Sequence, residues 1–228
     1  MLLETIGGNL PDAYKQLQPG TMLHADELLK ERRDNPELRD YCFHTADGAI
    51  YFMDKGVPTL LLTRRGQHPV LKHIDDAYDQ IFNKDCHYVV LPEDLESALQ
   101  SPDTLVIPLP SISLTSKHGG DYLVIGTDPN SYNKLNIEGR RLAERLYGQG
   151  EDFVQNMNHI KKERKRAETR IHVFNPDYVR KFASKNAIAR TSCLDRVDDD
   201  LDICTDLRGT TPYFIVHGHV RGVRKKTD

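Results

Sequence analysis

Two histidines and a group of aspartates near the C-terminus have the residue types and spacing best suited to metal chemistry. His217 and His219 are two residues apart, so their imidazoles lie on the same side of an extended segment. The Asp195–Asp202 carboxylates could complete a mixed carboxylate–histidine site. We therefore keep a metal-dependent hydrolase or nuclease as the alternative function. Because no third ligand stands at a recognisable spacing, we expect no metal and no cofactor.

No other group of residues forms a known catalytic motif. The sequence contains no P-loop, no Gly-x-Ser-x-Gly and no His-Glu-x-x-His. The four cysteines have unrelated spacings and no Cys-x-x-Cys pair, which predicts free thiols rather than a disulfide framework or a zinc site. Cys193 and Cys204 also lack a His or Asp at a fixed spacing that would activate them. We expect a protein that is not an enzyme.

A basic run is the main argument for nucleic-acid binding. Residues 161–166 carry five positive charges and one negative charge on a predicted helix. However, Arg164 and Glu168 are spaced i,i+4 as on a solvated helix face, and no aromatic residues interleave for base stacking. The net charge of the chain is −3. A nucleic-acid module centred on Lys161–Arg170 is therefore disfavoured, and it would require binding that falls steeply with salt.

The segment from Ala187 to Arg224 has an unusual composition. It contains no Lys, Glu, Gln, Met or Trp, although the rest of the chain contains 36 Lys, Glu, Gln and Met residues in total. The segment is otherwise varied, so it is not of low complexity. The five missing amino acids are those that no codon ending in a pyrimidine encodes. This pattern indicates a constraint on the gene rather than on the fold.

The elements that would position these residues are helices and strands in mixed order, without repeated strand–helix units, which favours an α+β fold. Residues 1–40 are expected to form an N-terminal arm with a helix at 23–33, and residues 41–228 the main domain. Strands at 41–45, 49–53 and 57–63 are expected to form a meander with a turn at Asp47-Gly48. The other patterns predict helices at 69–83, 92–99, 136–147, 151–168 and 175–184, and strands at 87–91, 104–109, 122–127, 170–174, 213–216 and 220–223. No apolar run is long enough for a membrane span and no signal peptide is visible, so we expect a cytoplasmic protein and leave export by another route open.

Several of these segments carry a family resemblance. Ala187–Leu194, Arg208 and Val220–Arg224 together resemble the C-terminal variable region of diversity-generating retroelement proteins. The segments Leu142–Gly150 and Asn175–Val179 resemble the bodies of the archaeal-type variable proteins, so that the resemblance covers most of residues 41–224. In that family, a reverse transcriptase misincorporates at template adenines and turns adenine-adenine-pyrimidine codons into any-any-pyrimidine codons. These codons never encode Lys, Glu, Gln, Met or Trp.

The resemblance implies a C-type lectin-like fold whose C-terminal segment, about 187–224, is diversified to bind varied macromolecular ligands, with protein as the expected class. The chain departs from phage and bacterial relatives because it lacks their Trp-rich motifs, and no sugar-binding Glu-Pro-Asn motif is present. Within the segment, apolar residues are scaffold candidates (Ala189, Leu194, Val197, Ile203, Val220, Val223), and Arg190, Arg208 and Arg221 are expected to order loops through backbone carbonyls. The expected ligand-facing residues are Cys193, Asp195, Arg196, Asp198, Asp199, Asp200, Asp202, Cys204, Asp206, Leu207, Gly209, Thr210, Thr211, Tyr213, Phe214, His217 and His219.

Overall fold

A computed structural model describes residues 2–64, 68–81, 87–112, 122–127, 129–164, 170–194, 201–202 and 218–225. Its strands are β1 (Glu4–Gly8), β2 (Phe43–Asp54), β3 (Val57–Thr63), β4 (Tyr88–Val89), β5 (Leu105–Pro108), β6 (Tyr122–Gly126), β7 (Arg170–Phe174), β8 (Ile188–Leu194), β9 (Leu201–Asp202) and β10 (Gly218–Gly222). Its helices are α1 (Leu10–Lys15), α2 (Ala25–Asp34), α3 (Pro69–Lys72), α4 (Ile74–Gln80), α5 (Pro92–Gln100), α6 (Pro129–Tyr132), α7 (Ile137–Tyr147), α8 (Gly150–Arg164) and α9 (Pro176–Phe182). Two short 3-10 helices span Pro36–Asp40 and Leu109–Ser111.

The described strands form one mixed sheet in the order β1-β10-β2-β8-β9-β7-β6. β3 also pairs with β2 and continues to β5, and β4 pairs with β8. Most pairs are antiparallel, whereas β10 runs parallel to β2 and β9 runs parallel to β7. The C-terminal strands β8 and β10 therefore flank β2 in the middle of the sheet and do not form an appendage.

Both faces of the sheet are covered by helices, because the central strands are apolar on both sides. Ala49 and Tyr51 of β2 belong to a core that includes α2, α7, α8 and α9. Ile50 and Phe52, which point the other way, belong to a second core that includes α1, α3, α4 and α5. Burying each large apolar side chain contributes about 1.5–3 kcal/mol. The sheet is therefore the middle of three layers, and helices pack against both faces of the sheet that contains the C-terminal strands.

The predicted turn at Asp47-Gly48 is wrong, because β2 runs straight through it. The register with β8 shifts between His44 and Gly48, which places Ser192 of β8 opposite a bulge in β2. The Asp47 carboxylate accepts a hydrogen bond from the backbone N–H of Ala25 at 2.7 Å. Asp47 therefore caps helix α2 instead of closing a hairpin.

Strand β8 was absent from the predicted elements, although it is fully buried. Its central residues Arg190, Thr191 and Ser192 are polar and do not alternate with apolar ones. The bulge explains part of this pattern, because the Ser192 hydroxyl bonds the Thr45 hydroxyl and donates to the Asp47 carbonyl at 3.1 Å. Buried polar residues remain stable when they are hydrogen-bonded in this way.

The N-terminal residues pack into the same sheet as the rest of the chain. Strand β1 pairs with β10 from Glu4–Gly222 to Gly8–Gly218. Leu28 and Leu29 of α2 are buried in the core shared with α7 and α8. The helix expected at 23–33 is therefore confirmed, and the separate arm expected for residues 1–40 is corrected to an integral part of the fold.

Candidate functional site

The strands on either side of residues 195–217 meet at one place in the sheet. Leu194, the last residue of β8, is paired with Phe43, the first residue of β2. His219 of β10 is paired with the same Phe43 from the other side. Residues 195–217 are thus attached at both ends beside the start of β2. We call this place the anchor point, defined by Phe43, Leu194 and His219.

A short strand connects the segment to the sheet between these ends. In β9, Leu201 is paired with Leu194 of β8 and with Ile171 of β7. Asp202 is paired through its backbone with Cys193 and His172. The chain is therefore paired with the sheet again at Leu201 and Asp202.

Four of the six predicted scaffold residues are buried, as expected. Ala189, Leu194 and Val220 have no exposed surface, and Val223 is 7% exposed. Val197 and Ile203 lie outside the described residues. The segment therefore contains fixed positions at both ends, next to its anchor point.

Cys193 is a correction to the predicted ligand-facing set. Its side chain is 3% exposed, because β8 is an interior strand covered on both faces. Its Sγ lies 2.9 Å from the Sγ of Cys42, which immediately precedes β2. Cys193 is therefore buried inside the fold, whereas a ligand-facing residue was expected to be exposed.

His219 is partly buried within an aromatic group at the anchor point. Its ring centroid is 4.5 Å from that of Tyr41 and 5.9 Å from that of Phe43. Gly7 faces it on β1, where a Cβ would lie 3.0 Å from the His219 Nε2. Burial lowers the pKa of His219, and an interaction with the backbone of Cys42 opposes that shift. The contacts of the His219 ring with Tyr41 and Phe43 are packing contacts between rings.

Tyr41 is an exposed residue of this site that the sequence did not indicate. It is 38% exposed and lies in the connection between the 3-10 helix and β2. Its carbonyl accepts a hydrogen bond from the buried guanidinium of Arg32, whose charge lies 5.5 Å from the centre of the Phe43 ring. Tyr41 is remote from the segment in sequence, and only the strand pairing reveals the contact.

The end of the segment is held by ionic contacts to the N-terminal residues. The Arg221 guanidinium donates to the Glu31 carboxylate at 2.7 and 3.1 Å and to the Thr5 hydroxyl at 2.9 Å. The prediction that Arg221 bonds backbone carbonyls is therefore wrong, because a carboxylate of α2 is within reach. Arg190 is buried as an interior strand residue, and Arg208 lies outside the described residues. These contacts fix β10 beside β1.

A buried ionic group supports the bulge in β2. Burial raises the pKa of Asp47, but hydrogen bonding and charge from His24 and charge from Arg64 outweigh it, so the pKa is lowered overall. The His24 Nδ1 lies 3.1 Å from the Asp47 Oδ1, and the Arg64 Nε donates to the same oxygen at 3.2 Å. Arg64 also contacts Asp26 at 2.6 Å. Asp47 is therefore a charged residue that links α2 to β2, the strand that pairs with β8.

Most predicted ligand-facing residues lie outside the described part of the chain. His219 is described in full and Asp202 through its backbone. Those outside the described residues are Asp195, Arg196, Asp198, Asp199, Asp200, Cys204, Asp206, Leu207, Gly209, Thr210, Thr211, Tyr213, Phe214 and His217.

The other chemical predictions concern metal, nucleic acid and membrane. Within the part of the chain that the structure describes, no three His, Cys, Asp or Glu residues form a group that could hold a metal ion. The carboxylates and His217 of the hydrolase alternative are outside that part. The basic run begins on α8, which ends at Arg164, and residues 165–169 are likewise not described. No helix among the described residues is long and apolar enough to cross a membrane.

Comparison with known proteins identifies the fold. No family model and no curated protein matches the chain. A solved structure described as "Accommodation of massive sequence variation in Nanoarchaeota by the C-type lectin fold" matches with a TM-score of 0.62. The match covers 98% of this chain and 98% of that chain at 12% sequence identity. The protein therefore has a C-type lectin fold, which confirms the predicted α+β class.

Proposed function

We propose that this protein is a ligand-binding display protein whose C-terminal surface is diversified by a retroelement. In this proposal, adenine-directed mutagenesis varies the exposed positions of residues 187–224, and selection retains variants that bind different macromolecules, chiefly proteins. The protein would bind and not catalyse. The observation that carries the proposal is the absence of Lys, Glu, Gln, Met and Trp from a segment that departs from and returns to one anchor point.

The arrangement of the scaffold supports this function. Substitutions at exposed positions usually change stability by no more than about 0.5 kcal/mol, whereas large-to-small changes in a core cost about 2–5 kcal/mol. The two ends of the segment are strands with buried residues, so the scaffold there does not depend on exposed side chains. The solved structure of the same fold, described by its massive sequence variation, is consistent with such a division.

The first test is the nucleotide sequence around the gene. We expect a near-copy of the 187–224 coding region that differs only where the copy has adenine, with a reverse-transcriptase gene nearby. Codons at the proposed ligand-facing positions should end in pyrimidines. Purine-ending codons at these positions would refute adenine-directed diversification.

The second test compares two libraries of the protein itself. The first library places any-any-pyrimidine codons at the predicted ligand-facing positions other than the buried Cys193. The matched library places the same codons at the buried positions Ala189, Leu194, Val220 and Val223 of the same segment. We expect most members of the first library to remain folded and to yield binders to unrelated immobilised proteins, and most members of the second to unfold. Equal loss of folding in the two libraries would contradict the proposal.

A further inference from the structure

Cys42 and Cys193 meet where the C-terminal segment is attached. Their Sγ atoms are 2.9 Å apart, and the two thiols are 8% and 3% exposed. The Cys42 carbonyl also accepts a hydrogen bond from the backbone N–H of His219 at 3.0 Å. Cys42 therefore contacts strand β8 through its thiol and strand β10 through its backbone.

We propose that Cys42 and Cys193 form a disulfide by exchange with a low-molecular-weight disulfide, and that this bond locks the anchor point. A disulfide has an S–S bond of about 2.0 Å, so the two sulfurs need to approach by only about 1 Å, which side-chain rotation can supply. The two sulfurs are not bonded to each other in the structure, and they already lie side by side. No sequence pattern indicates this pair, because 151 positions separate the two residues.

The exchange is chemically balanced. The Cys42 thiolate attacks one sulfur of the small disulfide, forms a mixed disulfide and releases one small thiol. The Cys193 thiolate then attacks the Cys42 sulfur and releases the second small thiol. The two protein thiols are oxidised, the small disulfide is reduced, and the two protons lost by the protein are taken up by the released thiolates.

The bond would fasten β8 to β2 at the last residues before the segment departs. A cross-link that closes a long loop restricts the unfolded chain and typically stabilises the native state. For a chain of this length we expect the melting temperature to rise by roughly 5–15 °C on oxidation. The inference concerns the cross-link alone, and it stands whether or not residues 187–224 bind ligands.

Peptide mapping of the full-length protein tests the pairing directly. The protein is equilibrated with oxidised and reduced glutathione at graded ratios, its remaining thiols are alkylated, and it is digested with trypsin. The four cysteines fall in four different tryptic peptides, and Cys42 and Cys193 are in residues 40–55 and 191–196. We expect these two peptides to be recovered as one linked species. Recovery of either peptide alkylated or glutathionylated from folded, oxidised protein would overturn the proposal.

Thermal melting of matched variants tests the consequence. The variants Cys42→Ser and Cys193→Ser should lose the oxidation-dependent rise in melting temperature. The control variants Cys86→Ser and Cys204→Ser should retain it, because they leave the proposed pair intact. A rise that persists in Cys42→Ser, or one that disappears in Cys86→Ser, would assign the stabilisation to another pair and overturn the proposal.

Discussion

Acid sensitivity is predicted to arise from one buried imidazole, that of His68. The residue is 1% exposed, and neither ring nitrogen has a hydrogen-bond partner among the described residues. Its ring packs against Gly48 of β2, where a Cβ would lie 2.6 Å from the His68 Cγ. Burial lowers the pKa of His68 to about 3; the negative charge of Asp47 opposes this shift, and His24 and His44 add to it.

The sign and size of the effect follow from proton linkage. In the unfolded chain His68 has its ordinary pKa of 6.5, so between pH 6.5 and about 3 only the unfolded state binds the proton. The folded state is therefore at full stability above pH 6.5 and loses stability as the pH falls towards 3. Each pH unit costs about 1.4 kcal/mol, which gives a loss of roughly 2.5–3 kcal/mol between about pH 7.5 and pH 4.5.

The variant His68→Phe removes the titrating group and keeps a ring of similar size. We expect its free energy of unfolding to equal or exceed that of the wild type near pH 7.5, because no hydrogen bond is lost. The free energy should then fall by roughly 2.5–3 kcal/mol less than that of the wild type on acidification to about pH 4.5. Lowering the pH no further keeps the assay above the range where Asp47, whose pKa is lowered, takes up its proton.

Urea unfolding followed by circular dichroism at several pH values gives the required free energies. The control is His73→Gln, whose ring is 32% exposed and lies 2.8 Å from the Asp94 carboxylate. This control should keep the acid-induced loss. The reasoning about His68 is refuted if the wild type and His68→Phe lose equal stability over this pH range.

Two further predictions concern β10, the strand at the end of the C-terminal segment. Gly222→Ala should destabilise the protein by about 1–3 kcal/mol in urea unfolding, because the new Cβ would lie 2.7 Å from the Thr21 carbonyl oxygen. Unchanged stability would contradict this prediction and show that the backbone can shift to make room for the methyl group. Arg221→Gln should cost about 1–3 kcal/mol, because Glu31 loses a partly buried partner that donates through two nitrogens. The control is the exposed ion pair of Arg224, where Arg224→Gln should lower the free energy of unfolding by less than about 1 kcal/mol. Equal losses of stability in the two arginine variants would contradict the anchoring role of Arg221.

Local signals predicted most of the described helices, because helix ends are set by nearby residues, but they did not predict α1 or α6. Asn175 caps α9 by accepting a hydrogen bond from the Tyr178 N–H at 2.8 Å, and Pro92 begins α5. The helix predicted over 69–83 is interrupted at His73, which separates α3 from α4. These elements follow from contacts within a few residues, which is the range that periodicity and capping rules describe.

The sheet was predicted less well, because its pattern depends on partners far away in sequence. The polar residues of β8 are buried against a bulge whose hydroxyl and carbonyl groups come from Thr45 and Asp47. The anchor point similarly joins residues near position 42 with residues near 193 and 219. No local rule connects these residues, since the pairing is set by the strand order of the whole domain.

Burial also shows where in residues 187–224 the absence of Lys, Glu, Gln, Met and Trp carries information about the gene. Residues 187–194 and 220–223 are almost all buried, and burial alone disfavours Lys, Glu and Gln there. Their absence from these strands is therefore expected for any gene. The information about the gene therefore lies in the absence of these amino acids from residues 195–217. The codons of Asp195, Arg196 and Asp198 thus discriminate between retroelement diversification and ordinary selection for packing, whereas the codon of Ala189 does not.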